Sequence, residues 1–248
     1  MNRIIGSIFN LNGLAVQSHS FQKFLPIGKP EILAEFLCRW KVDEIININL
    51  FNNMNKKINF NSINKISQKI NVPLAVGGGI KTMRDVETLF KNGCDKIVVS
   101  TIIFKNPKLL KKISELYGAQ SIIACLDYRY CKKNLKLFIN SGQEEIRIEF
   151  YECIELLDKM GIGEIILHNI NKDGSRSGYD RKVLKKVNSI TKLPIIGLGG
   201  FNSMSDFKNL FEEKGISLAI ANSISFKEQS IYNLKKDLKK FYKINVRL

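Results

Sequence analysis

The chain has 248 residues, 44% hydrophobic and 25% charged. That is enough apolar content to bury a full core, which excludes a disordered chain and a small cross-linked scaffold. It carries 39 Lys and Arg against 23 Asp and Glu, a net charge of +16, a balance that taken alone suits a polyanionic partner.

The first β-branched run predicts a strand at 3–9, followed by a long loop holding His19 and a helix over 30–41. Strands follow at 44–50 and 73–77, the latter running through Gly77, Gly78 and Gly79 into a helix over 82–92 that Thr82 caps with Asp85. A strand at 95–100 leads to a helix over 106–117, with Asn106 before Pro107 as its start. The second half gives strands at 121–127 and 164–169, a helix over 180–191 and a strand at 194–198. A helix over 203–213, opened by Ser203 and Asp206, and a strand at 217–222 complete the order. The strands are continuous apolar runs, as buried parallel strands are. Eight strand–helix units in this length predict a (β/α)8 barrel, a single TIM-barrel domain over 1–248. The competing doubly wound sheet lacks its GxGxxG after the first strand, and no cofactor is expected.

The chain also repeats itself, with segment 73–104 aligning on 194–226 with one inserted residue. Pro73 meets Pro194, Gly78 and Gly79 meet Gly199 and Gly200, Asp85 meets Asp206, and Phe104 meets Phe226. The spacing stays near half the chain, so two half-barrels of about 1–120 and 121–248 are expected to form one barrel. The lysines are scattered in pairs such as Lys111 with Lys112 and Lys185 with Lys186, with no dense tract, and Asn and Ile are abundant beside them. This reads as a drift in residue usage, and neither nucleic acid nor a membrane is expected as partner. The five cysteines, Cys38, Cys94, Cys125, Cys131 and Cys153, show no CxxC, so a reducing compartment is expected and neither a metal site nor disulfides. No apolar run reaches the roughly 18–20 residues of a membrane span, and the apolar start is too short for a signal peptide. A soluble, cytoplasmic protein is expected.

In such a barrel the chemistry sits where the strands end. Gly78 and Gly79 after the third strand, with Ser100 and Thr101 after the fourth, can cradle a phosphate on backbone N–H groups and hydroxyls. Gly199 and Gly200 with Asn222 and Ser223 make the second copy, so a small-molecule ligand with two phosphate ends is expected. Beside the second cradle lies a Gly-, Ser- and Asp-rich loop from Asn171 to Asp180, including Asp173 and Gly174. Asp127 closes the fifth strand as a candidate acid/base group, with Phe9 opposite it at the end of strand one. Arg3, Glu44, Lys96 and Glu164 stand at strand starts on the other rim, where two cations and two anions can close a ring or simply plug the floor. His19 and His168 lack metal-pair spacing, and His168 is expected to pack near the mouth.

The run from Pro73 to Ile80, the segment 93–101, the loop 173–180 and the run 194–200 together resemble the cyclase subunit of imidazole glycerol phosphate synthase (HisF), over essentially the whole chain. The resemblance implies a barrel docked on a HisH-like glutaminase subunit, with ammonia entering at the floor and reacting at the top. It makes Arg3, Glu44, Lys96 and Glu164 the gate to the ammonia path and Asp95 a contact with the glutaminase. Phosphate binding falls to Gly79, Ser100, Thr101, Asp173, Gly174, Gly200, Asn222 and Ser223. Of the family's two acid/base carboxylates, the second is Asp127 and the first is replaced by Phe9; an aspartate ending strand two is Asn49, and a mobile-loop lysine aligns with Gln17. An intact gate with one carboxylate missing resembles the second-copy, glycosyl-amidation (WbuZ-type) branch. That likeness implies ammonia handed to a third enzyme that amidates a sugar of a surface polysaccharide; the alternative is an authentic cyclase subunit of histidine biosynthesis.

Overall fold

The computed structural model describes residues 2–51, 57–223, 230–242, 244, 246 and 247. The first half runs β1 (Ile4–Leu11), β2 (Leu14–His19), β3 (Lys23–Gly28), α1 (Pro30–Arg39), β4 (Glu44–Leu50), α2 (Phe60–Ser67), β5 (Leu74–Gly77), α3 (Met83–Lys91), β6 (Lys96–Val99), α4 (Thr101–Lys105) and α5 (Pro107–Tyr117). The second runs β7 (Ile122–Cys131), β8 (Asn134–Ile139), β9 (Glu144–Ile146), α6 (Phe150–Leu157), β10 (Glu164–Asn169), α7 (Arg181–Asn188), β11 (Ile195–Leu198), α8 (Met204–Phe211), β12 (Ile216–Ile220) and α9 (Ser230–Tyr242).

Eight parallel strands close into a barrel in the order β1-β4-β5-β6-β7-β10-β11-β12, because β12 pairs back to β1 and β7 pairs directly with β10. Every residue of β5, β11 and β12 is buried, as strands covered on both faces must be. The helix caps read from the sequence are made. Thr82 and Asp85 bond each other's backbone, Asn106 Oδ1 accepts from Leu109 N–H at 3.1 Å, and Asp206 accepts from Asn202 and Ser203 N–H at 2.8 and 3.1 Å. Burial then separates into two cores. Ile4, Leu37, Ile45, Leu110, Val183 and Phe207 belong to the layer between staves and helices. Ile5, Ile46, Ala75, Ile123, Ile166 and Ile196 fill the barrel itself. Among the described residues no helix is long and apolar enough to cross a membrane.

The eight staves fall within two residues of the expected spans, except where β1 and β7 run on into hairpins that the sequence reading took as loop. β2 pairs antiparallel with β1 and β3, and β8 with β7 and β9. The expected long first loop is therefore mostly strand, with His19 at its end and the buried Gln17 inside β2 rather than on a loop. β3 escaped notice because Pro26 sits inside it, which only an edge strand tolerates, and its residues are mostly exposed. Helices α2, α4, α6 and α9 complete the outer ring. Phe226, matched to Phe104 in the repeat, lies outside the described residues.

Candidate active site

Period-two alternation in β1 sends Arg3, Ile5, Ser7 and Phe9 to the barrel interior, and register carries the same parity around the staves. At the floor this brings the four expected charges together. Arg3 Nη1 lies 2.6 Å from Glu44 Oε2 and Arg3 Nη2 lies 3.0 Å from Glu164 Oε1. Lys96 Nζ reaches Glu44 at 3.1 Å and Glu164 at 3.5 Å, so cations and anions alternate in a closed ring. Ser217 Oγ accepts from Arg3 Nε at 3.3 Å and fixes the guanidinium plane. Burial pushes the Glu44 carboxyl above its ordinary value, against the pull of Lys96 and Arg3. Asp95 is exposed at this rim, next to Lys96 in sequence, and its carboxylate accepts from Leu74 N–H at 2.8 Å.

Above the ring the interior is apolar, then turns polar again near the strand ends. Ser7 and Ser100 each bury a hydroxyl with no hydrogen-bond partner among the described residues. At the mouth, Asp127 is 7% exposed and lines a cavity of about 260 Å³ together with Gly78, Gly79, Ser100 and Thr101. Gly78 has φ +86, and a Cβ there would lie 2.0 Å from the Asn49 carbonyl, so only glycine permits this approach of β5 to β4. Asn49 itself donates to Gly77 O at 2.9 Å, bracing the turn.

The second cradle forms a separate small cavity of about 30 Å³ lined by Asp173, Gly174, Gly199, Gly200, Asn222 and Ser223. Two of these side chains are already engaged by β2. The Ser18 hydroxyl donates to Asp173 Oδ2 at 2.5 Å, and Asn222 bonds both the N–H and the carbonyl of Ser18, at 3.1 and 2.6 Å. Burial raises the Asp173 carboxyl above its usual value, with His168, Ser18 and Phe21 opposing. Expected cradle residues thus assemble as two clusters, and Asp173 and Asn222 anchor the β2–β3 hairpin over the second.

Several lining residues escaped the sequence reading. Phe21, Lys81, Lys105, Asn140 and Ser141 line the first cavity and Arg176 the second. Arg176 stood inside the Gly/Ser/Asp-rich loop, and Asn140, Ser141 and Gly142 carry a turn signature that could have placed the β8–β9 connection. His168 does more than pack near the mouth: its Nδ1 is 2.8 Å from Asp127 Oδ1, on neighbouring staves in register. Phe9 occupies the wall beside this pair, 1% exposed, with its ring 5.8 Å from the imidazole.

Comparison with known proteins bears on this geometry directly. Residues 3–230 match the family model described as histidine biosynthesis protein. The imidazole glycerol phosphate synthase subunit HisF of Clostridium botulinum (strain Langeland) is 32% identical over 232 residues, 92% of each chain. The putative imidazole glycerol phosphate synthase subunit hisF2 of Vibrio vulnificus is 32% identical over 248 residues, 99% of this chain and 91% of its own. The HisF subunit of Thermotoga sp. (strain RQ2) is 30% identical over 247 residues, 99% and 97% of the two chains. A closed barrel matched along nearly its whole length by these relatives places the chain: it belongs to the histidine biosynthesis protein family.

Proposed function

We propose that this chain is the synthase barrel of a glutamine-dependent system of the kind its relatives are named for. It takes ammonia from a HisH-like glutaminase subunit at the floor and uses it on a ligand with two phosphate ends at the mouth. The observation that carries this reading is the coaxial arrangement: the ion ring of Arg3, Glu44, Lys96 and Glu164 at one end, Asp127 with two glycine cradles at the other. The apolar layer between them disfavours an ion and suits a small neutral molecule such as ammonia. Asp95 at the floor rim belongs to the contact with the glutaminase in this reading. At the mouth, Gly78, Gly79, Ser100 and Thr101 take one phosphate, while Gly174, Gly199, Gly200, Asn222 and Ser223 take the other. Asp127 exchanges the protons of the cyclisation. With Phe9 in place of a second carboxylate, the reaction runs slower than a two-carboxylate site would allow, by about 10²–10⁴-fold.

The test is to co-purify the chain with its glutaminase subunit and follow imidazole glycerol phosphate formed from its phosphorylated precursor, with glutamine or ammonium as nitrogen source. Product from either source supports the reading. A complex that hydrolyses glutamine yet forms no product from either source overturns it. That outcome favours the second reading, nitrogen passed to a third enzyme that amidates a surface-polysaccharide sugar, for which the apolar Phe9 is the favouring observation. None of the relatives' names above mentions a polysaccharide, and the synthase reading takes first place for that reason.

A further inference from the structure

The Asp127–His168 pair has three features that packing alone does not require. The first is its geometry. Asp127 Oδ1 meets His168 Nδ1 at 2.8 Å, with Cys125 Sγ at 3.8 Å on the same oxygen. Asp127 Oδ2 has no hydrogen-bond partner among the described residues, and Asp127 lines the cavity that His168 does not reach. The second is a cost. His168 is fully buried, and its Nε2 has no partner among the described residues. Leaving a buried polar atom unpaired costs about 1–3 kcal/mol, whereas an apolar side chain would fill the same space without it.

The third feature is the wall around the imidazole. The rings of Phe21 and Phe9 lie 4.6 and 5.8 Å from it and 5.5 Å from each other. Phe21 reaches this place from a left-handed backbone, φ 53, a conformation that costs a bulky residue about 1–2 kcal/mol. Its N–H is tied to Asp173 Oδ2 at 3.4 Å. Backbone strain of this kind collects where a site needs a side chain held in place. The result is a dry imidazole–carboxylate hydrogen bond, which is electrostatically stronger than a wet one.

We propose that His168 is a positioning residue for the reaction at Asp127: its Nδ1–H holds Oδ1, so that Oδ2 alone faces the cavity and exchanges the substrate proton. When Oδ2 takes a proton from substrate, Oδ1 remains the acceptor of Nδ1–H, and the proton returns to product from Oδ2. The inference rests on Asp127 being the acid/base group proposed above. Asp127 of β7 bonds the imidazole, with Cys125 on the same carboxylate oxygen, and Asp173 of the loop after β10 interacts electrostatically with both His168 and His19.

The chain has two histidines, so ¹⁵N-histidine NMR on the full protein reads His168 directly once His19→Gln assigns the other. The expected spectrum has Nδ1 protonated with a downfield, slowly exchanging proton and Nε2 as a free acceptor; a protonated Nε2 with bare Nδ1 overturns the proposal. In ammonium-dependent turnover, His168→Leu, which keeps volume but not the donor, is expected to lower kcat about 100-fold, within the range for acid/base groups. KM is expected to hold within about twofold, because the phosphate cradles are untouched. His168→Asn, whose amide can still donate to Oδ1, is expected to recover at least tenfold of that loss. A folded His168→Leu with unchanged kcat makes His168 a packing residue and overturns this role alone. Should His168→Leu not fold, His168→Met, which also lacks the donor, takes its place, and a folded His168→Met with unchanged kcat overturns the role equally. A wild-type protein without ammonium-dependent turnover overturns the reading of Asp127 and this role with it.

Discussion

Glu44 shows how a single carboxylate ties the floor to pH. It is 1% exposed between Arg3 and Lys96, and burial outweighs both cations to raise its carboxyl above the ordinary 4.5. A folded-state value above the unfolded one means that the native chain binds this proton more tightly. The stability this contributes is full below about 4.5 and is lost as pH rises through the raised value. Glu44→Gln keeps the shape and removes the titration. Urea denaturation of both proteins across acid to neutral pH is expected to give a wild-type advantage that is largest at the acid end and shrinks towards neutrality. An advantage that grows with pH would mean that Arg3 and Lys96, and not desolvation, set this carboxyl.

At the scale of elements, two glycines separate strain from collision. Gly13 closes the β1–β2 turn at φ +84, and a Cβ there would meet only Asn59 Nδ2, at an ordinary contact distance of 4.0 Å. Gly13→Ala is therefore expected to lower stability by only about 1–2 kcal/mol, the cost of a left-handed L-residue. Gly78→Ala adds a clash with the Asn49 carbonyl. It is expected to lose more stability than Gly13→Ala and to abolish inorganic phosphate binding at the first cradle, read by denaturation and ³¹P NMR. Equal losses in the two variants would mean that β4 yields freely to the added methyl.

The same elements mark what could be read beforehand. The staves and their helices were legible because continuous Ile/Val runs alternate with capped amphipathic stretches, as at Thr82 and Asp206. The β1–β2 hairpin is legible too, since Asn12-Gly13 between strand residues is a strong turn signal. The β7–β8 turn was not legible, because Lys132 takes φ 59 in a Lys-Lys pair that advertises no turn. Asp127 and Phe9 were found from their places at strand ends. The His168–Asp127 contact was not, because it depends on the register of β10 against β7, which no local pattern encodes. β1 and β7 each carry an antiparallel hairpin partner, β2 and β8.

For the whole molecule, a chain of +16 places on its axis four charges that cancel. The ring spans β1, β4, β6 and β10, and removing any member leaves a partly buried ion short of a partner. In the complex with a glutaminase subunit, Glu164→Ala and Lys96→Ala are each expected to release glutamate in excess of nitrogen incorporated, measured as the ratio of the two products. Ratios that stay at the wild-type value in both variants would make the ring a structural plug.

Closure also sets an order in time. Leu218 N–H bonds to Arg3 O, and Arg3 N–H to Ser217, so the first stave finds its second neighbour only in the last one. On a ribosome adding about 5–20 residues each second, β1 waits roughly 10–45 s for β12. Until then its outer N–H and C=O groups form an open sheet edge, able to pair with another nascent chain. The barrel is most exposed to misassembly while it is being made, and seals that edge with its final strand.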